Sequence, residues 1–181
     1  MKQLLKILSS VLVMAGIFSP SICVSCMGSA TTDVDTSTVR SLDVKRFMGR
    51  WYEIARFDHR FERGMTHATA DYTLLSDGKI RVVNSGMKKG KPTESVGKAK
   101  QPNPAEYPGR LKVSFFLWFY SDYYVLELAP DYTYAVIGSS SDDYLWILSR
   151  TPQLPSDVLL SLLELIEARG YDISELIWVE Q

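Results

Sequence analysis

Thr66-His67-Ala68-Thr69-Ala70-Asp71-Tyr72-Thr73-Leu74 alternates along its whole length. Ala68, Ala70, Tyr72 and Leu74 fall on one side, and His67, Thr69, Asp71 and Thr73 on the other. That is the period of two of a half-buried strand. Ser76-Asp77-Gly78 then supplies a hairpin turn into a second strand, Ile80 to Asn84. The same reading extends outward. Trp51 to Phe57 precedes this pair. Thr93 to Lys100, Leu111 to Leu117, Tyr123 to Leu128, Tyr132 to Ile137 and Tyr144 to Ser149 follow it. Lys88-Lys89-Gly90-Lys91-Pro92 is a turn, and the three prolines of Gln101–Pro108 make that segment a loop.

Eight sequential strands with short connections predict an all-β fold, an eight-stranded antiparallel up-and-down barrel, because closure removes both exposed edges. A two-sheet sandwich is the rival, but its Greek-key crossings need longer connections. A barrel of eight strands is just wide enough to be filled by side chains or to hold one small ligand. Beyond the strands, Pro155-Ser156-Asp157 opens a helix with Ser156 or Asp157 available as cap. Leu159, Leu162, Leu163 and Ile166 form its apolar stripe, and Gly170 stops it. This C-terminal helix is expected outside the barrel, followed by a short final strand, Leu176 to Val179.

The chain has 181 residues, 46% hydrophobic and 23% charged, with a formal net charge of −1. These are the values of an ordinary globular domain with a tail, and they give no general drive toward nucleic acid. The tail reads as an address. Lys2 and Lys6 precede the apolar stretch Leu4 to Phe18, the pattern of an export signal over residues 1–25. Val24-Ser25-Cys26 resembles a bacterial lipoprotein box, which implies lipidation at Cys26 and a membrane anchor. Cleavage after Ala30 by ordinary signal peptidase is the other reading. Residues 26–41, rich in Ser, Thr and Asp, read as a flexible tether to a domain over 42–181.

Two stretches carry a resemblance. Gly49-Arg50-Trp51-Tyr52-Glu53-Ile54-Ala55 opens the first strand, and Tyr144-Leu145-Trp146-Ile147-Leu148-Ser149-Arg150-Thr151-Pro152 closes the eighth. The first resembles the G-x-W signature of the lipocalins and the second that family's strand-end arginine motif. Arg56 to Gly64, Leu111 to Phe116 and Ile177 to Val179 are similar to the bacterial outer-membrane lipocalins, over about residues 42 to 181. The resemblance implies a carrier of small hydrophobic molecules, with fatty acids or lysophospholipids as ligands, working in envelope maintenance at the outer membrane. It also implies that Trp51 closes the base of the barrel with Arg150 packed across it, a structural role.

If Arg150 points at Trp51, parity turns Tyr144, Trp146 and Leu148 inward. Ala135 and Ile137 follow on strand seven, Leu111, Val113 and Phe115 on strand five, and Ala68, Ala70 and Tyr72 on strand two. On strand six, Glu127 must avoid the apolar interior, so Tyr124, Leu126 and Leu128 are expected to face in. This lining suits an acyl chain, although the same side chains could simply fill the barrel. At the open end, Arg60, Arg63, Lys88, Lys89 and Lys91 form a cationic rim suited to an anionic head group. Leu117-Trp118-Phe119-Tyr120 is an apolar run in a mouth loop, which suits contact with a membrane surface or with a second barrel.

Enzymatic motifs do not emerge. His59 and His67 are the only histidines, and neither falls on the expected lining. No G-x-S-x-G elbow, H-E-x-x-H pair or phosphate loop is present. Both cysteines precede residue 27, so with two histidines the body has too few ligands for a zinc site. No cofactor is implied. A structural envelope protein without a fixed ligand is the alternative to a carrier, and a lipid-modifying enzyme the more remote one.

Overall fold

The computed structural model describes residues 34–181; the expected export signal, Cys26 and the first part of the expected tether lie outside them. Nine strands form one sheet: β1 (Gly49–Phe57), β2 (Met65–Leu74), β3 (Ile80–Lys88), β4 (Lys91–Lys100), β5 (Arg110–Phe116), β6 (Phe119–Leu128), β7 (Tyr134–Gly138), β8 (Leu145–Ser149) and β9 (Leu176–Trp178). Strands β1 to β8 follow one another around the sheet. The start of β1 pairs with β2 (Trp51 opposite Ala70) and its later part with β8 (Glu53 opposite Leu148), which closes the barrel. All pairings are antiparallel. Strand β9 adds to the far end of β1 from outside, with Phe57 opposite Leu176.

Two apolar clusters hold this arrangement. The inner one fills the base of the barrel with Phe47, Trp51, Ile80, Leu111, Val125 and Ala135. The outer one lies between the barrel wall and helix α2 (Ser156–Ala168) and joins Ile54, Leu126, Val136 and Ile147 to Leu162 and Ile166. Burying the α2 stripe holds a helix that has little capping help. Pro155 occupies the N-cap position without a side-chain bond, so the expected cap at Ser156 or Asp157 is corrected: those residues are already helical. At the other end Gly170 has φ +91°, the left-handed conformation that ends a helix and suits a residue without Cβ.

A one-turn helix, α1 (Val44–Phe47), caps the base; the Asp43 side chain accepts from the backbone of Lys45 and Arg46. Residues 34–41, read from composition as the end of a tether, lie along the barrel. The Asp35 backbone N–H donates to the Arg169 carbonyl, that of Val39 donates to Val125, and Val39 packs on the inner cluster.

Candidate ligand-binding site

The base is shut by one stack. Trp51 is fully buried, and the Arg150 guanidinium carbon stands 3.8 Å from its ring centroid. Arg150 also donates to the carbonyls of Arg50, Arg46 and Phe47, and Trp51 Nε1 donates to the Phe47 carbonyl. One planar cation thus ties β8, β1 and α1 together through hydrogen bonds and a ring face, which a flexible ammonium could not do at once.

Above the packed base a hollow of about 90 Å³ remains. Its wall includes Ala70, Tyr72, Val113, Phe115, Ile137 and Trp146, six residues that parity turns inward, together with Leu148. Gly97 makes room for this wall: a Cβ there would stand 2.7 Å from the Phe115 ring. Leu111, Leu128 and Ala135 also point inward, but into the filled base rather than the hollow. Ala68 is buried outside the lining, because β2 is bulged between Thr66 and Thr69, with His67 at φ +52°. Tyr144 stacks behind Trp146 (centroids 5.9 Å, interplanar 10°) instead of lining the cavity.

Strand β6 overturns part of the expected lining. Tyr124 and Leu126 face out toward α2, and Tyr123 and Val125 face in. Glu127 avoids the interior as its charge demands, and bonds to Arg169. A bulge between Val125 and Glu127 separates the two conclusions, since it places Leu126 and Glu127 on the same outer face and restores Leu128 to the inside. Simple alternation from Glu127 therefore inverts every residue before the bulge.

The hollow also has a polar side that pattern reading missed. Glu53, Glu62, Thr69 and Asn84 line it, with Val82 and Tyr123. Alternation from Trp51 would have found Glu53, and alternation from Ile80 would have found Val82 and Asn84. Arg56 and Glu62 carry no such signal. Arg56 turns inward because β1 is bulged between Glu53 and Ala55, and Glu62 reaches in from the β1–β2 loop. The Arg56 side chain, 1% exposed, donates to Glu53 Oε1 and to the carbonyls of Glu62 (2.7 Å) and Met65 (3.3 Å). Trp146 Nε1 donates to Glu62 Oε2 at 3.1 Å, and His59 Nε2 stands 2.9 Å from that oxygen. His59 packs edge-on against Trp146 (5.2 Å), and neither it nor His67 is among the lining residues.

Burial drives the Glu53 carboxyl above its ordinary range; the Glu62 charge adds to this and Arg56 opposes it. Burial pushes Glu62 the same way, but its bonds from His59 and Trp146 and the charges of His59 and Arg56 prevail and hold it below. The two acids therefore separate into one that favours its proton and one that favours its charge. Deeper in, the Tyr72 and Tyr123 hydroxyls share one hydrogen bond of 2.9 Å within an apolar setting.

The mouth carries the loop 58–64, the turn 89–90, the turn 117–118 and the loop 139–144. Of the expected rim cations, Arg60, Arg63, Lys89 and Lys91 are exposed. Arg63 is paired with Asp58 at 2.8 Å, and Lys88 Nζ donates to the Phe61 carbonyl.

A family model described as a lipocalin-like domain matches residues 42–181. The chain is 44% identical over 160 residues to the outer membrane lipoprotein Blc of Escherichia coli K12, covering 87% of this chain and 89% of that protein. It is 40% identical to temperature-induced lipocalin-1 of Arabidopsis thaliana, covering 81% and 83%. Among solved structures, insecticyanin of the tobacco hornworm Manduca sexta superposes with a TM-score of 0.67 at 24% identity, covering 81% of this chain and 85% of that one.

Proposed function

The chain belongs to the lipocalin-like family, whose members bind small hydrophobic ligands, and we propose that its hollow takes the tail of a single-chain amphiphile, a fatty acid or a lysophospholipid. The observation that carries this reading is the hollow itself, which is mostly apolar, closed at its base by Trp51 and Arg150, and bounded by Phe115 and Trp146. At about 90 Å³ it is far smaller than the ~300–1,000 Å³ of a site that encloses a whole drug-sized molecule. A hollow of that size takes the end of an acyl chain rather than a whole molecule. The charged Glu62 in the wall opposes an anionic head group inside, so the head stays at the rim beside Arg60, Lys89 and Lys91.

The envelope setting belongs to the same proposal. Residues 1–25 are an export signal, Cys26 carries the lipid anchor, and the protein works at the outer membrane as a carrier or store without catalysis. The bacterial relatives are named outer membrane lipoproteins, which supports this setting. Extraction of the native protein followed by lipid mass spectrometry tests the function. Intact fatty acid or lysophospholipid in stoichiometric amount is expected. A lipid-free protein that takes up neither in titration contradicts the carrier and favours the second reading, a structural envelope protein, for which the small volume of the hollow speaks.

A further inference from the structure

The turn between β5 and β6 is chemically odd. Two-residue hairpin turns favour Asn-Gly and similar pairs, because their central residues need positive φ. The β3–β4 turn on the same rim obeys this, with Lys89 at φ +52° and Gly90 at φ +71°. The β5–β6 turn is Leu117-Trp118, and Leu117 stands at φ +50°, a conformation that a bulky side chain rarely adopts. The Ser114 hydroxyl bonds to the carbonyls of Phe116 and Leu117 and supports the turn from behind. The strain exposes apolar surface. Phe116, Leu117, Trp118 and Phe119 are 68%, 54%, 71% and 63% exposed, and the Phe116 and Phe119 rings stack on each other. Neither folding nor solubility is served by this choice, and strain that persists marks a functional site.

We propose that this tip is a docking element for an anionic lipid surface, seated so that the bilayer meets the mouth of the hollow. Aromatic side chains settle at the head-group level of a membrane. The neighbouring rim turn exposes Lys89 and Lys91, and the next loop Arg60, cations that an anionic leaflet attracts, with Lys88 and the Asp58-paired Arg63 beside them. A second copy brought tip to tip would set these same cations against each other, so charge favours lipid over self-association. Phe115 joins tip to hollow, being 43% exposed and part of the cavity wall. The docked tip thus offers a lipid chain an apolar path off the surface.

The test reads Trp118 alone. The exported protein and its Trp118→Phe variant are mixed with vesicles of phosphatidylcholine and phosphatidylglycerol, with and without brominated acyl chains. The difference between the two proteins is the Trp118 signal. It is expected to shift to the blue and to fall about twofold with brominated lipid, and to lose that response in phosphatidylcholine alone or at high salt. A Lys88→Gln, Lys89→Gln, Lys91→Gln variant is expected to weaken the response as well. A Trp118 signal indifferent to brominated lipid overturns the proposal. So does a Trp118 shielded from aqueous iodide without vesicles in a protein that sediments as a dimer. Lipid uptake into the hollow is read separately through Trp146, so failure of the carrier reading and failure of docking are distinguishable.

Discussion

Arg150 does its work through shape as much as charge. Its guanidinium covers the Trp51 ring at 3.8 Å while donating to carbonyls of α1 and β1. An Arg150→Lys variant keeps the charge and loses the fork and the stacking plane. It should cost about 2 kcal/mol in urea unfolding. Glu53 makes a prediction about pH. Its native carboxyl binds a proton more readily than the unfolded one, so the native state holds more protons as pH rises above the ordinary carboxylate range. Stability attributable to this group is therefore full at acid pH and declines as pH climbs toward its raised native value. Glu53→Gln removes that dependence. The stability of wild type minus that of Glu53→Gln, from urea unfolding at several pH values, should fall with rising pH; a flat difference would contradict the assignment. Glu62, held low, loses its contribution in the opposite direction, on acidification.

At the scale of elements, regular strands were legible and irregular ones were not. Alternation turns Val113 and Phe115 on β5, Ile137 on β7 and Trp146 on β8 toward the interior, and there the structure has them. On β6 the charge argument placed Glu127 outside, where it bonds to Arg169. The inference from Glu127 back to Tyr124 then failed, because one extra residue at a bulge reverses every side chain beyond it. The β1 bulge hid Arg56 in the same way. Residues supplied by loops, Glu62 and His59, follow no period and left no trace in the pattern. Helix α2 shows the opposite balance: its stripe and its glycine stop could be read, but its cap could not, since Pro155 takes the position without a side-chain bond. Gly170→Ala forces a Cβ into φ +91° and should cost about 1 kcal/mol in thermal or urea unfolding. Leu162→Ala, at the contact with the barrel wall, should cost about 2–4 kcal/mol.

The barrel domain formed by the described residues is a cup with a filled lower half. Closing eight strands leaves room for little more than side chains, and Phe47 from α1 takes part of that room at the base. What remains is a small hollow with one charged acid in its wall and exposed cations outside, an arrangement that on the proposed function sorts the two ends of an amphiphile by polarity. Neutralising Arg60, Arg63, Lys88, Lys89 and Lys91 together should weaken fatty-acid binding at low salt and have less effect at high salt. The most direct measurement is a titration of Trp146 fluorescence with a fatty acid, carried out on the native protein and on Ala70→Phe, which places a ring in the hollow. Saturable binding by the native protein that is lost in a folded Ala70→Phe variant is the predicted result; equal binding by both proteins, or saturation in neither, would contradict the account.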